Sequence, residues 1–319
     1  MSFWDNLPEL FTVLAPMEDV TDVVFRRTVA KAGRPDVFFT EFTNAASYCS
    51  ARGNLATAGR LVHEPSEAPL VAQIWGTSPD NFAVMSADLA KMGFAGIDIN
   101  MGCPAKNVVK SGGGSGLIGN YDVAEQLIVA AKSGGLPVSV KTRLGVRQVS
   151  EYEPWLSFLL KCDLANLTVH LRTRKEMSKV AAHYEMIDQI CELRDQLAPR
   201  TKITINGDVK NLDEAKVLKS QHPGIDGVMI GRGVFTNPFC FVAGKTPGVE
   251  ELVALLRYQL DQYDRYRVIN AKFNRNFDSL KHFFKIYLTG FAGAAKVREQ
   301  AYACHTTDEV RAVLSNAGL

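Results

Sequence analysis

Cysteine is sparse in this sequence and is not arranged to bind a metal. The 319 residues include six cysteines, which form no Cys-x-x-Cys pair and no zinc-binding spacing. Scattered thiols are typical of a reducing compartment and argue against a disulfide-stabilised secreted domain. The first residues, MSFWDNLPEL, also lack the basic start and apolar run of a secretion signal. We therefore predict a cytoplasmic protein without a metal site.

Long apolar runs and a strong charge bias are missing as well. No stretch approaches about 18 uninterrupted apolar residues, which argues against a membrane-spanning helix. Lys and Arg number 36 and Asp and Glu number 34, so the formal net charge is only +2. Any surface that attracts a nucleic acid must therefore be local. The 46% hydrophobic and 22% charged fractions are those of a folded globular protein, here long enough for one large α/β domain and a smaller appendage.

Short apolar runs rich in β-forming residues recur along the first three quarters of the chain. There are eight: TVLAP from Thr12, VFFTEF from Val37, LVAQIW from Leu70, GIDIN from Gly96, VSVKTR from Val138, NLTVH from Asn166, ITIN from Ile203 and GVMIG from Gly227. Their spacing averages about 31 residues, the length of one strand, one helix and their loops. Strands that are apolar on both faces indicate a parallel sheet covered by helices. The pattern predicts a (β/α)₈ TIM barrel, with an open doubly wound sheet as the main alternative.

Helices are predicted between these strands and throughout the last quarter of the chain. Apolar residues at helical spacing predict helices over 79–92, 123–132, 250–269, 278–291 and 308–314. After Gly244 no strand-like run follows. We therefore expect two domains, a catalytic barrel over residues 1–245 and a small α-helical domain over residues 246–319.

The predicted helical domain is locally basic. Residues 257–298 contain nine Lys or Arg against three acidic residues, an excess of six positive charges. If these side chains share one side of the domain, they will attract a polyanion. Aromatic residues interleave with the charges, and we expect most of their rings to pack between helices. The rings belong to Tyr258, Tyr263, Tyr266, Phe273, Phe277, Phe283, Phe284 and Tyr287.

Polar side chains cluster where the predicted strands end, which is where TIM barrels carry their chemistry. These positions hold Pro16, Met17, Glu18, Gln73, Asn100, Lys141, Arg143, His170, Asn206, Gly207, Asp208, Gly231 and Arg232. The glycine turn around Arg232 suits a phosphate, whereas Gln73, Lys141 and Asn206 suit the edges of a planar ring. The set predicts a planar cofactor with a phosphate tail. Each residue taken singly has a structural alternative, such as a loop cap or, for His170, a core histidine.

Cys103 is the sharpest single candidate for a catalytic residue. It follows the fourth strand in NMGCPAKNVVKSGGGSG, where a run of glycines permits close backbone approach to a ligand. A buried structural thiol is the alternative. With an ordinary thiol pKa of about 8.5, Cys103 stays mostly protonated near neutral pH. It is therefore better suited to donate a proton than to attack as a nucleophile.

These stretches resemble the tRNA-dihydrouridine synthases, flavin enzymes that reduce particular uridines in tRNA. The matching segments are APMEDVTDVVFR from Ala15, QIWG from Gln73, DINMGCPAKNVVKSGGGSGLI from Asp98, VKTRLG from Val140, TVHLRTR from Thr168, INGDV from Ile205 and MIGRGVFTNPF from Met229. They follow the order and spacing of that family across nearly the whole barrel. Among the departures, Asp19 stands where the family commonly has glycine.

The resemblance implies an FMN cofactor, reduced by NADPH or NADH, and a tRNA substrate. It assigns to flavin binding Pro16, Met17, Glu18, Gln73, Lys141, His170, Asn206, Gly207, Asp208, Gly231 and Arg232, with Arg232 on the phosphate. It makes Cys103 the proton donor and places Asn100, Lys141 and Arg143 on the target uracil. The helical domain becomes the RNA-binding domain, in which Lys281 and His282 resemble a basic pair of the family. We expect its RNA contacts to include Arg265, Arg267, Lys281 and Lys285, and we expect a monomer.

Two other functions are weighed against this one. The first is an FMN-dependent TIM-barrel oxidoreductase that acts on a free small molecule, of the dihydroorotate type or the old-yellow type. Such an enzyme needs no basic C-terminal domain. The second is an RNA-binding module that retains the barrel but has little catalytic activity, and the presence of Cys103 with the predicted flavin set argues against it.

Overall fold

The computed structural model describes residues 2–319 of the chain. The strands are β1 Phe11–Leu14, β2 Phe38–Phe39, β3 Thr43–Asn44, β4 Leu70–Trp75, β5 Gly96–Met101, β6 Val138–Arg143, β7 Asn166–His170, β8 Lys202–Asn206 and β9 Gly227–Ile230. The helices are α1 Val23–Ala32, α2 Ala45–Cys49, α3 Ala51–Ala58, α4 Pro79–Lys91, α5 Lys106–Lys110, α6 Tyr121–Lys132, α7 Tyr152–Leu160, α8 Ile187–Leu197, α9 Leu212–Gln221, α10 Gly233–Thr236, α11 Val249–Ile269, α12 Asp278–Lys281, α13 Phe284–Tyr287, α14 Ala294–Ala303 and α15 Thr307–Asn316. Within residues 2–319 we find no helix with the length and apolar character needed to cross a bilayer.

The strands form a parallel barrel, as the sequence predicts. The sheet runs β1-β9-β8-β7-β6-β5-β4-β2, and each neighbouring pair is parallel. Val37 closes the circle, because its N–H donates to Thr12 O at 3.1 Å and its carbonyl accepts from Leu14 N at 3.1 Å. The open doubly wound sheet is therefore excluded.

The second predicted run, residues 37–42, contains β2, and β3 follows directly after it; both strands pair with β4. Between them the Thr40 hydroxyl, rather than a backbone carbonyl, accepts the N–H of Gln73 at 3.1 Å. This side-chain bond interrupts the backbone ladder at the mouth of the barrel. The eight predicted runs thus occupy eight barrel positions, with one position split in two.

The barrel interior is apolar on one side and polar on the other. An apolar cluster fills the side formed by β1, β2, β4 and β9, and Trp4 from the N-terminal turn is one of its members. Across from it, β5 to β8 carry the buried polar side chains Asp98, Ser139, Asn166, Thr168 and Thr204. The outer strand faces pack against the helices in a separate, larger core. The polar side leads directly to the carboxyl ends of β5 to β8.

The C-terminal helices agree only partly with the sequence prediction. The predicted helices 250–269 and 308–314 correspond to α11 and α15. The predicted helix 278–291 is wrong as one element, because the structure has the short helices α12 and α13 there. His282 and Phe283 separate α12 from α13 and belong to neither helix. Helix α14 was not predicted.

The helical segment, residues 249–316, packs directly on the barrel. Arg27 on α1 donates from Nε to Gln262 on α11 at 3.0 Å, and the rings of Phe25 and Phe283 stack at 4.6 Å. Seven of the eight aromatic rings singled out in the sequence are buried, and Tyr258 is partly buried, which confirms their packing role. The proposed domain boundary at 245/246 lies between α10 and α11 and stays a prediction.

Candidate cofactor and substrate site

A cavity of about 550 Å³ opens at the carboxyl ends of the strands. Most of the residues predicted from the strand ends line it: Pro16, Met17, Gln73, Asn100, Cys103, Lys141, Arg143, His170, Asn206, Gly207, Asp208, Gly231 and Arg232. Glu18 lies outside this lining, and its carboxylate pairs with Arg60 at 2.5 Å. The volume is that of a typical small-molecule or cofactor site.

Strand register explains why distant residues meet in this cavity. Asn100 lies opposite Lys141, Arg143 lies opposite His170, and His170 lies opposite Asn206. Side chains alternate between the two faces of a strand, so residues paired in this way project to the same face. The polar residues of β5 to β8 consequently point inward together at one end of the barrel.

A buried hydrogen-bond chain fixes the amides of the site. Asp98 accepts from the Ser139 hydroxyl at 2.6 Å and from Gln73 Nε2 at 2.8 Å. Gln73 Oε1 in turn accepts from Asn100 Nδ2 at 2.9 Å, and Asn100 Oδ1 accepts from the backbone N–H of Cys103 at 2.9 Å. Each amide therefore has a defined orientation. Burial raises the pKa of Asp98 to about 6, against the opposing effect of these hydrogen bonds.

Sequence reasoning did not assign a role to Asp98 or Ser139. The signal was present, because Asp98 stands two residues before Asn100 in an apolar strand and so shares its face. Four other cavity residues lie in loops or a short helix, where no spacing in the sequence distinguishes them. They are Phe42, Ser178, Lys210 and Thr236.

Lys141 places an ammonium group in the cavity. Its Nζ donates to Asn206 Oδ1 at 2.8 Å, and Asn206 Nδ2 donates to the carbonyl of Met229 at 2.9 Å. Removal from water, reinforced by the nearby charge of Arg143, lowers the pKa of Lys141 to about 8. A lysine in this state is a strong electrostatic partner for negative charge that develops on a bound ring.

His170 presents a nitrogen that has no protein partner. Its Nδ1 is buried and accepts or donates no hydrogen bond within residues 2–319. Burial, together with the positive charges of Lys141, Arg143 and Arg172, holds the pKa of His170 far below its usual range. The ring is therefore neutral. His170 itself lines the cavity, and a buried ring nitrogen without a partner makes this residue a candidate for a ligand contact.

Arg143 has a structural role as well as a place in the cavity wall. It donates from Nε to Gly102 O at 2.8 Å and from Nη1 to the carbonyls of Thr173 at 3.1 Å and Met177 at 2.9 Å. Its Nη2 donates to no acceptor among the described residues. Burial and the charge of Arg172 lower the pKa of Arg143 to about 10, so it is cationic near neutral pH.

The far end of the cavity carries an arginine pair. Arg232 Nη2 donates to Asp208 at 2.9 Å, and Arg172 donates to the other oxygen of the same carboxylate. Gly207 has a φ of 130°, which favours glycine, and brings the chain around to this end. The side chain of Arg232 is 66% exposed. It is therefore accessible to an anionic group that enters from the mouth.

Cys103 lies in a half-buried position at the cavity wall. Burial raises the pKa of its thiol above the ordinary value, which keeps the proton on sulfur near neutral pH. The glycine run folds back on this residue, since a Cβ at Gly114 would lie 2.7 Å from the Cys103 carbonyl. That carbonyl accepts from the Ser115 N–H at 3.0 Å and from its hydroxyl at 2.9 Å. The glycine run was predicted to allow close approach to a ligand, but Gly114 instead lies close to the backbone of Cys103.

The four predicted RNA-contacting residues lie in the helical segment, outside the cavity. Arg265 pairs with Glu64 at 3.0 Å, and Lys281 pairs with Asp278 at 2.8 Å. Arg267 lies over the ring of Tyr263, 5.7 Å from its centroid, and Lys285 is exposed. The structure therefore brings the predicted flavin and uracil residues, except Glu18, together in one cavity, and the predicted RNA contacts lie outside it.

Comparison with known proteins agrees with this geometry. The profile of the Dihydrouridine synthase (Dus) family matches residues 13–318. A Bacillus subtilis (strain 168) protein named "Probable tRNA-dihydrouridine synthase 2" is 55% identical over 316 residues, which cover 99% of this chain and 96% of that protein. A Staphylococcus aureus (strain MRSA252) protein named "Probable tRNA-dihydrouridine synthase" is 52% identical over 316 residues, 98% of this chain and 94% of its own length.

Solved structures that resemble this chain include one of low sequence identity. It is the 6-hydroxypseudooxynicotine amine oxidase HisD from Pseudomonas geniculata N1, which aligns with a TM-score of 0.52 at 11% identity and covers 72% of this chain and 46% of its own. The likeness extends to the fold alone. The family profile and the curated relatives both span nearly the full length of the chain, and the chain therefore belongs to the dihydrouridine synthase family.

Proposed function

We propose that this protein is a flavin-dependent tRNA-dihydrouridine synthase, which reduces the C5–C6 bond of specific uridines in tRNA with NADPH as the reductant. Family membership and the names of the similar proteins support the reaction and the substrate. The observation that carries the proposal is a protonated thiol, Cys103, in one cavity with the cation Lys141 and the unpartnered His170. The barrel is assigned to catalysis and the helical domain to tRNA binding, in the cytoplasm.

The cavity residues fit FMN in number and chemistry. Gln73, Lys141 and Asn206 offer amide and ammonium groups to the polar edge of an isoalloxazine ring, and the buried Nδ1 of His170 lacks a partner that such a ligand would provide. Arg232 would hold the phosphate in place of its bond to Asp208. When bound and reduced by NADPH, FMN would supply the hydride that C6 of the uracil receives.

Cys103 provides the proton that completes the reduction at C5. Because burial raises its pKa, the thiol retains this proton until the uracil gains negative charge. Loss of the proton leaves a thiolate, which the nearby charges of Arg143 and Lys141 stabilise. Solvent then returns a proton to sulfur. Hydride and proton together account for the two hydrogens of the dihydro base.

Three residues stabilise the uracil while it is reduced. Lys141 and Arg143 offer positive charge to the carbonyl oxygens of the uracil. The Nη2 group of Arg143 donates no hydrogen bond within the described residues and can therefore donate to the uracil. Asn100 is held in one orientation by Gln73, so its contact with the base is preorganised. The three side chains favour the charge that develops after hydride arrives rather than the neutral base.

A uridine within tRNA must leave its stack to reach this cavity, at a cost of a few kcal/mol. Phosphate contacts offset that cost. The lysines and arginines of the helical domain at positions 265, 267, 281 and 285 are proposed to make these contacts. Lys281 can exchange the exposed carboxylate of Asp278 for an RNA phosphate. Arg265 would leave Glu64, which is partly buried and keeps its pairing with Arg27.

The test is to map dihydrouridine in tRNA from cells that carry or lack the gene. Mass spectrometry of digested tRNA should show dihydrouridine at defined positions in the first sample and uridine at those positions in the second. Complementation with the wild-type gene should restore the modified base, whereas the Cys103→Ala gene should not. Identical modification with and without the gene would contradict the proposal and favour a free small-molecule substrate.

A further inference from the structure

A cluster of charged side chains joins the barrel mouth to the helical segment. It contains two arginines, Arg60 and Arg275, and four carboxylates, Glu18, Asp19, Asp22 and Glu41. All six lie outside the cavity lining. The proposed reaction gives none of them a part in the chemistry, although Glu18 was predicted from the sequence to bind flavin.

Arg275 is the member that comes from the C-terminal part of the chain, between α11 and α12. Its Nη1 donates to Asp19 Oδ1 at 2.9 Å, and its Nη2 donates to Glu41 Oε1 at 2.5 Å. Its Nε lies 3.8 Å from Asp22. The Glu41 side chain is completely buried, and its other cationic neighbour, Arg60, is 3.8 Å away. Arg275 is therefore the principal counter-charge of a carboxylate that cannot reach water.

The carboxylates held by Arg275 belong to two segments that form part of the cavity wall. Met17, a lining residue, stands two positions before Asp19, and Phe42, another lining residue, directly follows Glu41. The two segments are also joined to each other, because the backbone N–H of Asp19 donates to Glu41 Oε1 at 2.7 Å. One guanidinium thus ties both segments together from outside the cavity.

The backbone conformation of Asp19 suits a role for its ion pair with Arg275 in holding the loop that follows Met17. Its φ is 57°, in the left-handed region that favours glycine and that aspartate tolerates better than most residues. An aspartate here retains a side chain that can pair with Arg275, which glycine lacks. The ion pair and the backbone bond to Glu41 together hold the loop in this conformation.

We propose that Arg275 is a positioning residue for the flavin site, through which the helical segment fixes the cavity wall formed by Met17 and Phe42. The inference rests on the proposed function for the identity of the ligand. It also separates Arg275 from the basic residues proposed to contact RNA, because its guanidinium is occupied by barrel carboxylates. The helical segment then contributes to cofactor binding as well as to substrate binding.

The test is the dissociation constant for FMN, measured by fluorescence titration of flavin-free full-length protein. Arg275→Ala should raise the constant roughly tenfold, the order expected when charge-assisted hydrogen bonds that hold a binding loop are lost. Arg275→Lys should give an intermediate value, because an ammonium group retains the charge but not the fork of donors. Lys272→Ala removes one exposed charge from the same segment and should leave FMN affinity unchanged. Saturating FMN should restore turnover in Arg275→Ala.

A second variant covers the case in which Arg275→Ala folds poorly because Glu41 is left buried and unpaired. Asp19→Asn keeps the Arg275–Glu41 pair and tolerates the same φ, so its melting temperature should match that of the wild type. Its FMN dissociation constant should rise roughly two- to fivefold. Wild-type affinity in a folded Asp19→Asn protein would overturn the inference, as would wild-type affinity in a folded Arg275→Ala protein. If the wild type itself bound no FMN, the proposed function and this inference would both fall.

Discussion

The barrel and the helical segment use their charged residues in different ways. In the barrel, residues from β4 to β9 that are far apart in sequence converge on one cavity. In the helical segment, positive charges that are close in sequence are dispersed. Arg257 donates to the carbonyl of Leu319 at 2.6 Å, Arg298 to that of Leu288 at 2.6 Å, and Arg275 to barrel carboxylates.

The cause of this difference is geometric. Parallel strands in a barrel all end at the same rim, so the position of a residue at a strand end already determines where its side chain meets the others. Helices distribute successive residues around an axis, and a cluster of charges in the sequence does not define one surface. The position of a polar residue at a strand end was therefore a better guide to where side chains meet than the number of positive charges in a segment.

Among the residues that converge on the barrel cavity, Cys103 should give the largest loss of activity when it is replaced by alanine. Without the proton donor, formation of dihydrouridine should fall by about 10²- to 10⁴-fold, whereas reduction of bound flavin by NADPH should be unaffected. Single-turnover assays on unmodified tRNA separate the two steps. The exposed Cys49 provides the control, and Cys49→Ala should have wild-type activity. Undiminished product formation by Cys103→Ala would remove this residue from the mechanism.

A slightly smaller loss is expected from Lys141→Met. The substitution keeps much of the side-chain volume but removes the charge that stabilises the reduced uracil, so turnover at saturating FMN and tRNA should fall by about 10²- to 10³-fold. The measurement is the initial rate of dihydrouridine formation. Lys161→Met, which changes an exposed lysine of the same barrel, should have no effect. Equal rates in the two variants would show that position in the barrel does not matter for the lysine.

The dispersal of charge in the helical segment predicts a more modest effect on RNA affinity. Replacement of Arg265, Arg267, Lys281 and Lys285 by glutamine should weaken tRNA binding, on the order of tenfold or more, and make its salt dependence shallower. NADPH oxidation by the flavin should be spared. Filter binding at several salt concentrations gives both quantities. An unaltered affinity and slope would assign RNA binding to another surface.

The sequence predicted the barrel better than it predicted the helical segment. All eight apolar runs became barrel positions, because strands buried on both faces have a pattern that little else produces. Residues predicted from strand ends, such as Gln73, Lys141 and His170, line one cavity, and their roles there stay predictions. Glu18 was placed in the site by its sequence position, yet its carboxylate turns to Arg60 outside the cavity. Local sequence could not reveal this, because Arg60 lies in another segment.

Two predictions for the helical segment were wrong or incomplete, and both involve contacts with distant parts of the chain. The predicted helix 278–291 is divided into α12 and α13, and Phe283, which lies between them, stacks on the Phe25 ring of α1. Arg275 was counted with the basic residues because its partners, Asp19 and Glu41, are more than 230 residues away in the sequence. Pairings over such distances leave no periodic signal.

The smallest effect is expected in the pH dependence of the melting temperature, which should differ between a buried and an exposed carboxylate. Burial raises the folded-state pKa of Asp98 to about 6, so its proton stabilises the folded protein at low pH and this contribution is lost as the pH rises through about 6. The melting temperature of wild type minus that of Asp98→Asn should therefore increase from about pH 8 to about pH 5.

Asp278 in the helical segment provides the matched comparison. Its hydrogen bond with Lys281 lowers its pKa, so the stability it contributes is present at neutral pH and declines as the carboxylate becomes protonated. The melting temperature of wild type minus that of Asp278→Asn should stay nearly constant from about pH 8 to about pH 5 and decrease only below about pH 4. Thermal unfolding at matched pH values measures both differences. Parallel pH profiles for the two variants would contradict the distinction between the buried and the exposed carboxylate.

An anaerobic half-reaction is the most direct test of the proposal that this barrel reduces a uridine in RNA with a hydride from a bound flavin and a proton from Cys103. The purified protein is loaded with FMN, reduced with NADPH and freed of excess reductant, and unmodified tRNA is then added. Flavin absorbance should return as one uridine is converted to dihydrouridine for each flavin that is reoxidised. A flavin that stays reduced in the presence of tRNA but is reoxidised by a free small molecule such as orotate would contradict the account.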